Sequence, residues 1–250
     1  MEFNVLSLNL WHGGKLNGVF QFIESVGADV MCLQEAIDGG DPNMAPSFRT
    51  VEVLKEMYPD YYFFFTPEMK KMFDEGVYDI GNLVVSKYPI DSSDCWFFDK
   101  PYCDEGEDGM VDNIDYPSSF QHVRLDVNGN VLDVFNVHGI WGFDGDDNPR
   151  RQTMSEMIVE QIADKSLVVL AGDFNCNPNT QAVGAIQDQL VNVFDRMLIT
   201  SFNVRHKISG GFATAVVDMV FVSPSMTIIE RECSEVDVSD HFPLRVKLEI

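Results

Sequence analysis

The run Ser166-Leu167-Val168-Val169-Leu170-Ala171-Gly172-Asp173-Phe174-Asn175 constrains this chain more than any other stretch. Residues 167–171 are uninterruptedly apolar, the pattern of a short buried strand, and Gly172 then releases the chain into a polar triplet. On a strand, side chains alternate faces, so Asp173 and Asn175 point one way and Phe174 the other. A carboxylate and a carboxamide then emerge together where a core strand meets solvent, the usual place for a site in α/β folds. Gly, Asp and Asn equally suit a turn, so the triplet alone leaves both readings open.

The rest of the chain supplies partners for that strand. Strand-like runs recur at residues 3–9, 30–34, 61–66, 80–86, 118–127, 131–138, 167–173, 217–222, 227–233 and 243–249, several with the two-residue period of a half-buried strand. Helical patterns fall at 16–26, 47–57, 149–163 and 180–187. The third has Asp147 or Asn148 to cap it and Pro149 at its first position. Asn128-Gly129-Asn130 between two strand runs predicts a hairpin, hence antiparallel pairing. Many strands with few helices predict two packed sheets with helices outside them. Nothing in 1–250 resembles a linker, so one domain is expected. The acidic, glycine-bearing stretch 99–116 is expected to be a solvated surface loop, with the rim of a site or a stray-cation site as alternatives.

Bulk properties exclude several classes. A hydrophobic fraction of 45% with 12% aromatics suits a packed core and not a disordered chain. No segment reaches the ~20 apolar residues of a membrane span, and no signal peptide is visible, so a cytoplasmic monomer is expected. The five cysteines form no CxxC or Cys/His cluster, which argues against a structural zinc site or a disulfide framework. Cys32 and Cys233 are expected to be small core residues. The net charge is −23, with 17 Lys and Arg against 40 Asp and Glu. A chain that grips long duplex DNA usually carries a basic footprint. A phosphate substrate would therefore be held locally, by a metal and a few cations.

Polar residues of similar chemistry end the apolar runs throughout. Asn9 closes the first, Glu35 follows the second, and His138 ends another before Gly139. Asp173 and Asn175 close the opening run, Asp218 begins 218–222, and Ser239-Asp240-His241 precedes the last. Charged groups rarely flank buried strands unless they are paired or bound to metal. Six such positions together suggest one site. Oxygen donors without a Cys/His cluster suit a hard cation, Mg²⁺ before Zn²⁺.

In this order Leu8-Asn9, Leu33-Gln34-Glu35, Val137-His138-Gly139, Gly172-Asp173-Phe174-Asn175, Asp218 before an apolar strand, and Ser239-Asp240-His241 resemble the motifs of the endonuclease/exonuclease/phosphatase superfamily. Gly81-Asn82-Leu83-Val84-Val85-Ser86 also looks like its central strand. The resemblance spans residues 3–250. It implies a four-layer α/β sandwich of the DNase I type, with two mainly antiparallel sheets face to face, and a Mg²⁺-dependent phosphoesterase, with Mn²⁺ as an alternative ion. By resemblance Glu35 is the principal metal ligand, with Asn9 nearby and Asp240 a ligand or a second-site contact. Asp173 would deprotonate the attacking water and Asn175 hold a phosphate oxygen. His241, oriented by Asp218, would stabilise charge at phosphorus. His138 would contact the phosphate or protonate the leaving group.

The substrate is less determined. Arg150-Arg151 and Arg205-His206-Lys207 are the basic clusters near motif residues, so Arg151 and Arg205 are candidate phosphate contacts. Arg151 could equally anchor its loop. Trp11, Trp141, Phe143 and Phe212 could stack on a base, line an apolar pocket or pack within loops. His12 and His206 are expected to be ordinary surface residues. The leading expectation is a nuclease acting on single strands, ends or short oligonucleotides. The alternative is a phosphatase or phosphodiesterase for a small phosphorylated metabolite or lipid head group, which the charge favours. A binding protein on the same fold is the third possibility.

Overall fold

Alternation within the strands sorts apolar side chains into separate clusters, and those clusters set the layers. The computed structural model describes residues 1–14, 17–73, 76–109, 112–207 and 215–250. The strands are β1 (Glu2–Asn9), β2 (Val30–Asp38), β3 (Tyr62–Phe73), β4 (Gly76–Ser86), β5 (Ile90–Phe97), β6 (Cys103–Asp104), β7 (Ser119–Val127), β8 (Asn130–His138), β9 (Val168–Asp173), β10 (Val191–Asn192), β11 (Asp218–Val222), β12 (Thr227–Cys233) and β13 (Leu244–Glu249). They form a seven-stranded sheet, β12-β13-β1-β2-β4-β3-β6, and a six-stranded sheet, β10-β11-β9-β8-β7-β5. Most neighbours are antiparallel; β1 with β2, β8 with β9 and β3 with β6 are parallel.

One cluster lies between the sheets and includes Phe3, Val5, Cys32, Val84, Val134, Val169 and Val220. A second packs the outer face of the six-stranded sheet under helices Pro149–Ile162 and Gln181–Gln187, through Leu170, Met154, Ile158 and Ile186. The third places Leu6, Leu8 and Met31 under helices Val19–Val26 and Thr50–Met57. The result is the four-layer α/β sandwich. Asn148 caps the Pro149 helix by accepting the Arg151 N–H, and Thr180 caps the next one. No helix among the described residues is long and apolar enough to cross a membrane.

The inter-sheet layer changes character along its length, and this positions the site. On β1 the inward side chains run Phe3, Val5, Ser7, Asn9; on β8, Leu132, Val134, Asn136, His138. On β9 they run Val169, Ala171, Asp173, and on β7, read backward, Leu125, Val123, Gln121, Ser119. An apolar core thus passes through an amide tier to an ionisable floor. In the amide tier Gln34 Nε2 donates to Asn136 Oδ1 (2.6 Å), and Asn136 Nδ2 donates to Gln121 Oε1 (3.0 Å) and to the Leu33 carbonyl (3.0 Å). Gln121 Nε2 reaches the Phe64 and Asn82 carbonyls across the gap, both at 3.0 Å. These bonds fasten the two sheets directly beneath the floor.

Three features depart from the sequence-based expectation. β3 runs to Phe73, well beyond Thr66, through a bulge at Pro67/Met69. β5 (Ile90–Phe97) was not anticipated. Within stretch 99–116, whose described residues are 99–109 and 112–116, Cys103–Asp104 pairs with Met69 and Lys70 at the sheet edge, followed by the short helix Glu105–Asp108. Cys32 is buried, whereas Cys233 is only half-buried.

Replacing Asn136 by Leu would keep side-chain bulk but leave at least two buried partners unsatisfied, each costing roughly 1–3 kcal/mol. Denaturant unfolding should show a loss of at least about 2 kcal/mol. A loss under about 0.5 kcal/mol, within the range of surface changes, would mean the amide tier does not hold the sheets together.

Candidate active site

The floor is assembled from strand ends brought level by register. β11 pairs Asp218 with Asp173, and β8 pairs His138 with Asp173. Glu35 needs a further device. Beyond Leu33, β2 bulges, and Glu35 takes φ 55°, which swings its carboxylate toward the floor. Trp11, His12, Gly13 and Gly14 form a left-handed turn with φ of 50°, 54°, 75° and 85°. Left-handed backbone costs non-glycine residues roughly 1–2 kcal/mol each. The turn is held because the Trp11 N–H donates to Asn9 Oδ1 (3.0 Å), the His12 N–H to Glu35 Oε2 (2.9 Å), and Thr50 Oγ1 to the Gly13 carbonyl (2.7 Å). Asn175, at φ 52°, is the fourth such side-chain-bearing residue at the site. Gly139 allows the loops after β8 and β9 to touch, since a Cβ there would lie 2.2 Å from the Phe174 carbonyl oxygen.

Asn9 Nδ2 donates to both Glu35 Oε1 and Asp173 Oδ2, each at 3.1 Å. Its oxygen accepts the Trp11 N–H, so the amide nitrogen of Asn9 bridges the two carboxylates. Asp173 Oδ1 accepts the Asn175 N–H at 2.9 Å, while Asn175 Nδ2 donates to the Gly139 carbonyl (3.0 Å). His241 Nδ1 and Asp218 Oδ2 lie 2.8 Å apart. His241 Nε2 stands 3.8 Å from Asp173 and 3.9 Å from Asp240, too far for a hydrogen bond. A matching pair lies opposite, where His138 Nδ1 meets Glu68 Oε2 at 2.9 Å. Glu68 is itself fixed by Asn82 (3.1 Å) and Ser119 (2.8 Å).

These contacts set the charges. Burial works against the His241 imidazolium, but Asp218, Asp240 and Asp173 outweigh it and hold the group at about 9. His138 follows the same logic through Glu68, Glu35 and Asp173, and reaches about 10. Burial pushes Glu35 up, yet His12, His138 and the hydrogen bonds from His12 and Asn9 bring it down to about 2. Burial raises Asp173. Lys207 stays charged: burial opposes this, but Asp240 outweighs it across a 2.9 Å contact.

Asp173, Asp218 and His241 lie close enough together to hold an ion. All three are buried, and Asp218 engages Nδ1 of His241. Glu35 is the carboxylate that faces the cleft with part of its side chain exposed, and Asp173 lies beside it through Asn9. This all-oxygen pair fits a hard divalent cation. Asp240 is engaged by Lys207.

The cleft above the floor has a volume of about 410 Å³, with Trp11, His12 and Trp141 on its walls and Lys71, Tyr116 and Lys207 supplying polar groups. His12 therefore belongs to the site and not to ordinary surface. His206 pairs with Asp237 (2.6 Å) and packs on Trp11. Arg151 is fully buried and donates to the carbonyls of Ile140, Asp144 and Asp146. It anchors a loop and is not a substrate contact, which corrects that expectation. Arg205 is exposed, 4.0 Å from Asp237, and lies outside the cleft lining. Phe143 is 79% exposed, and Phe212 lies outside the described residues.

Sequence reasoning missed Glu68, Lys71 and Tyr116; of the basic cluster Arg205-His206-Lys207, the residue that lines the cleft is Lys207 and not Arg205. It also missed the strap Ser201–Asn203, whose Ser201 Oγ accepts the Val217 and Asp218 N–H groups and whose Asn203 N–H donates to the Asp240 carbonyl (2.8 Å). The available signal for Glu68 was an acid two residues past a strand reading that ended at Thr66.

The model of the Endonuclease/Exonuclease/phosphatase family matches residues 1–241. No curated protein matches the chain. An endonuclease/exonuclease/phosphatase from Bacteroides vulgatus is 18% identical, covers 100% of this chain and 99% of its own, and superposes with a TM-score of 0.72. D. rerio TDP2 complexed with single-strand DNA product is 16% identical, with 100% and 99% covered and a TM-score of 0.71. The mannosyl-6-phosphatase of Bacteroides thetaiotaomicron VPI-5482 is 17% identical, with 99% and 100% covered and a TM-score of 0.65. At these identities the structures share a fold. With its motifs converging on one floor and the family match running almost end to end, the chain belongs to the Endonuclease/Exonuclease/phosphatase family.

Proposed function

We propose that this protein is a divalent-metal-dependent phosphoesterase in which an activated water attacks phosphorus in line with the departing oxygen. The observation that carries the reading is the convergence of two histidine–carboxylate pairs and two further carboxylates, Glu35 and Asp173, around one cleft. Mg²⁺, or Mn²⁺ in its place, held by Glu35 would polarise a phosphoryl oxygen and ease the build-up of charge on the leaving alkoxide.

The remaining work falls to side chains. Asp173, fixed by Asn9 and the Asn175 N–H, takes the proton from water; burial raises its affinity for that proton. His241, held by Asp218, donates Nε2–H to the oxygen that gains charge at phosphorus. His138, charged through Glu68, returns a proton to the leaving oxygen. Lys207 lends positive charge beside Asp240.

Two substrate classes suit this chemistry. A nucleic-acid phosphodiester is supported by the shared fold of TDP2, a protein seen with single-strand DNA product. A small phosphorylated molecule is supported by the net charge of −23, by the limited cleft and by the shared fold of the mannosyl-6-phosphatase. The cleft favours the second.

Glu35→Gln and Asp173→Asn should each lower kcat/KM on p-nitrophenyl phosphate or its bis ester by about 10²–10⁴-fold while circular dichroism stays native. His138→Gln should cost far less on these esters than on alkyl esters, because p-nitrophenolate departs without a proton. Retention of more than about a tenth of wild-type activity by Asp173→Asn, against what a general base supplies, would sink the assignment.

Stability should report the same charges. In protein stripped of divalent ions, His138 and His241 bind protons more tightly folded than unfolded, where histidine titrates near ~6.5. Their contribution is complete below that pH and is lost as pH rises through about 9 for His241 and about 10 for His138. Unfolding free energy should fall between roughly pH 7 and pH 10 more steeply in wild type than in a His138→Gln/His241→Gln variant. Equal slopes would contradict the charge assignment.

A further inference from the structure

The seven-stranded sheet overshoots the floor on one side only. β2 continues to Asp38 against Gly81–Asp79 of β4, and the β3–β4 hairpin carries Met69 to Met72 beyond Glu68. This rising sheet forms a wall, with the Glu68–His138 pair at its base. A group protonated by His138 on departure would lean against that wall.

The wall is reinforced by described residues of the stretch expected to be a solvated surface loop. Cys103–Asp104 lies alongside Met69 and Lys70, and Lys70 Nζ meets Asp104 Oδ2 at 2.6 Å. Tyr102 donates to Asp79 (2.9 Å), Lys100 pairs with Asp115 (3.2 Å), and Arg150 is tied to both Asp99 and the Ile114 carbonyl. So many fastenings make a fixed boundary. A polymer continuing past its leaving oxygen in this direction would meet it.

The wall's inner surface carries a polar set suited to hydroxyl groups. Lys71 is 5% exposed; its Nζ lies 2.8 Å from Tyr116 Oη and 3.6 Å from Glu105 Oε1. An ammonium already balanced by a carboxylate is a poor seat for a second phosphate. The ammonium and the phenol at the cleft together both donate and accept, as a polyol requires. Trp11 and Trp141 add flat apolar faces at the same cleft, whose volume of about 410 Å³ lies within the range of small-ligand sites.

Resting on the phosphoesterase reading above, we infer that the substrate is the phosphate ester of a neutral sugar or polyol, whose hydroxyls are bound by Lys71 and Tyr116. Water's oxygen replaces the sugar oxygen on phosphorus, the phosphorus–oxygen bond to the sugar breaks, and the released alkoxide takes a proton to leave as the free alcohol. Lys71 and Tyr116 act on specificity through the leaving group and touch no reacting atom.

The test compares glucose 6-phosphate, mannose 6-phosphate and glycerol phosphate with p-nitrophenyl phosphate, a single-stranded oligonucleotide and plasmid, each with Mg²⁺. At least one sugar or polyol ester should exceed both nucleic acids in kcat/KM by ~10-fold or more, the scale on which bound hydroxyls discriminate. Lys71→Met and Tyr116→Phe should each lower kcat/KM on that ester by several-fold more than on p-nitrophenyl phosphate, mainly through KM. Preference for DNA, or equal losses on both ester types, would overturn the inference. Calorimetric binding of the same sugar phosphates to Asp173→Asn separates it from the catalytic reading. Lys71-dependent binding to Asp173→Asn together with no turnover by the wild type would overturn hydrolysis and support the pocket, whereas no binding would overturn the pocket.

Discussion

Five carboxylates, Glu35, Glu68, Asp173, Asp218 and Asp240, share one largely buried layer at the end of the sandwich. Buried charge is tolerated only when it is paired and hydrogen-bonded. His138, His241 and Lys207 supply the countercharge, and Asn9, Asn175 and the His12 N–H supply donors. Much of the unusual backbone serves this balance. The left-handed turn at Trp11–Gly14 aims an N–H at Glu35, the β2 bulge turns Glu35 inward, and the β3 bulge does the same for Glu68. Such local strain persists because the surrounding bonds over-determine it.

Beneath the floor, the amide tier of Gln34, Asn136, Gln121 and Asn82 separates the ionised layer from the hydrocarbon core. Carboxylates resting directly on Val and Phe would lack donors from below. A tier of amides provides both donors and acceptors and fixes the distance between sheets, so residues from opposite sheets meet with ångström-scale tolerance. Asp173 from one sheet and Asn9 from the other depend on that spacing.

The strand ends were legible in the sequence because inward positions change from apolar to polar at a two-residue period. That pattern exposed Asn9, His138, Asp173 and Asp218, and their order carried the family resemblance. Glu68 was hidden because Pro67 reads as a strand terminator, while the actual strand accommodates it in a bulge. Lys71 gave no pattern, since it is brought to the cleft by tertiary contacts, and the basic cluster 205–207 did not reveal that Lys207 is the member that reaches the cleft. Arg151 looked like a phosphate ligand because charge alone does not reveal direction. Its guanidinium turns inward to satisfy loop carbonyls. Stretch 99–116 is exposed over much of its described length, as its acidic, glycine-bearing composition suggests; what the composition did not reveal is that Lys70, Lys71, Lys100 and Arg150 tie its described residues down.

The negative floor has its clearest chemical use if Glu35 anchors a divalent cation. Calorimetric titration of Mn²⁺ into wild type and Glu35→Gln tests this without reference to any substrate. Saturable binding in wild type, weakened at least ~10-fold or abolished in Glu35→Gln as loss of a charged ligand demands, is the predicted result. Equal binding in both proteins, or none in wild type, would contradict it.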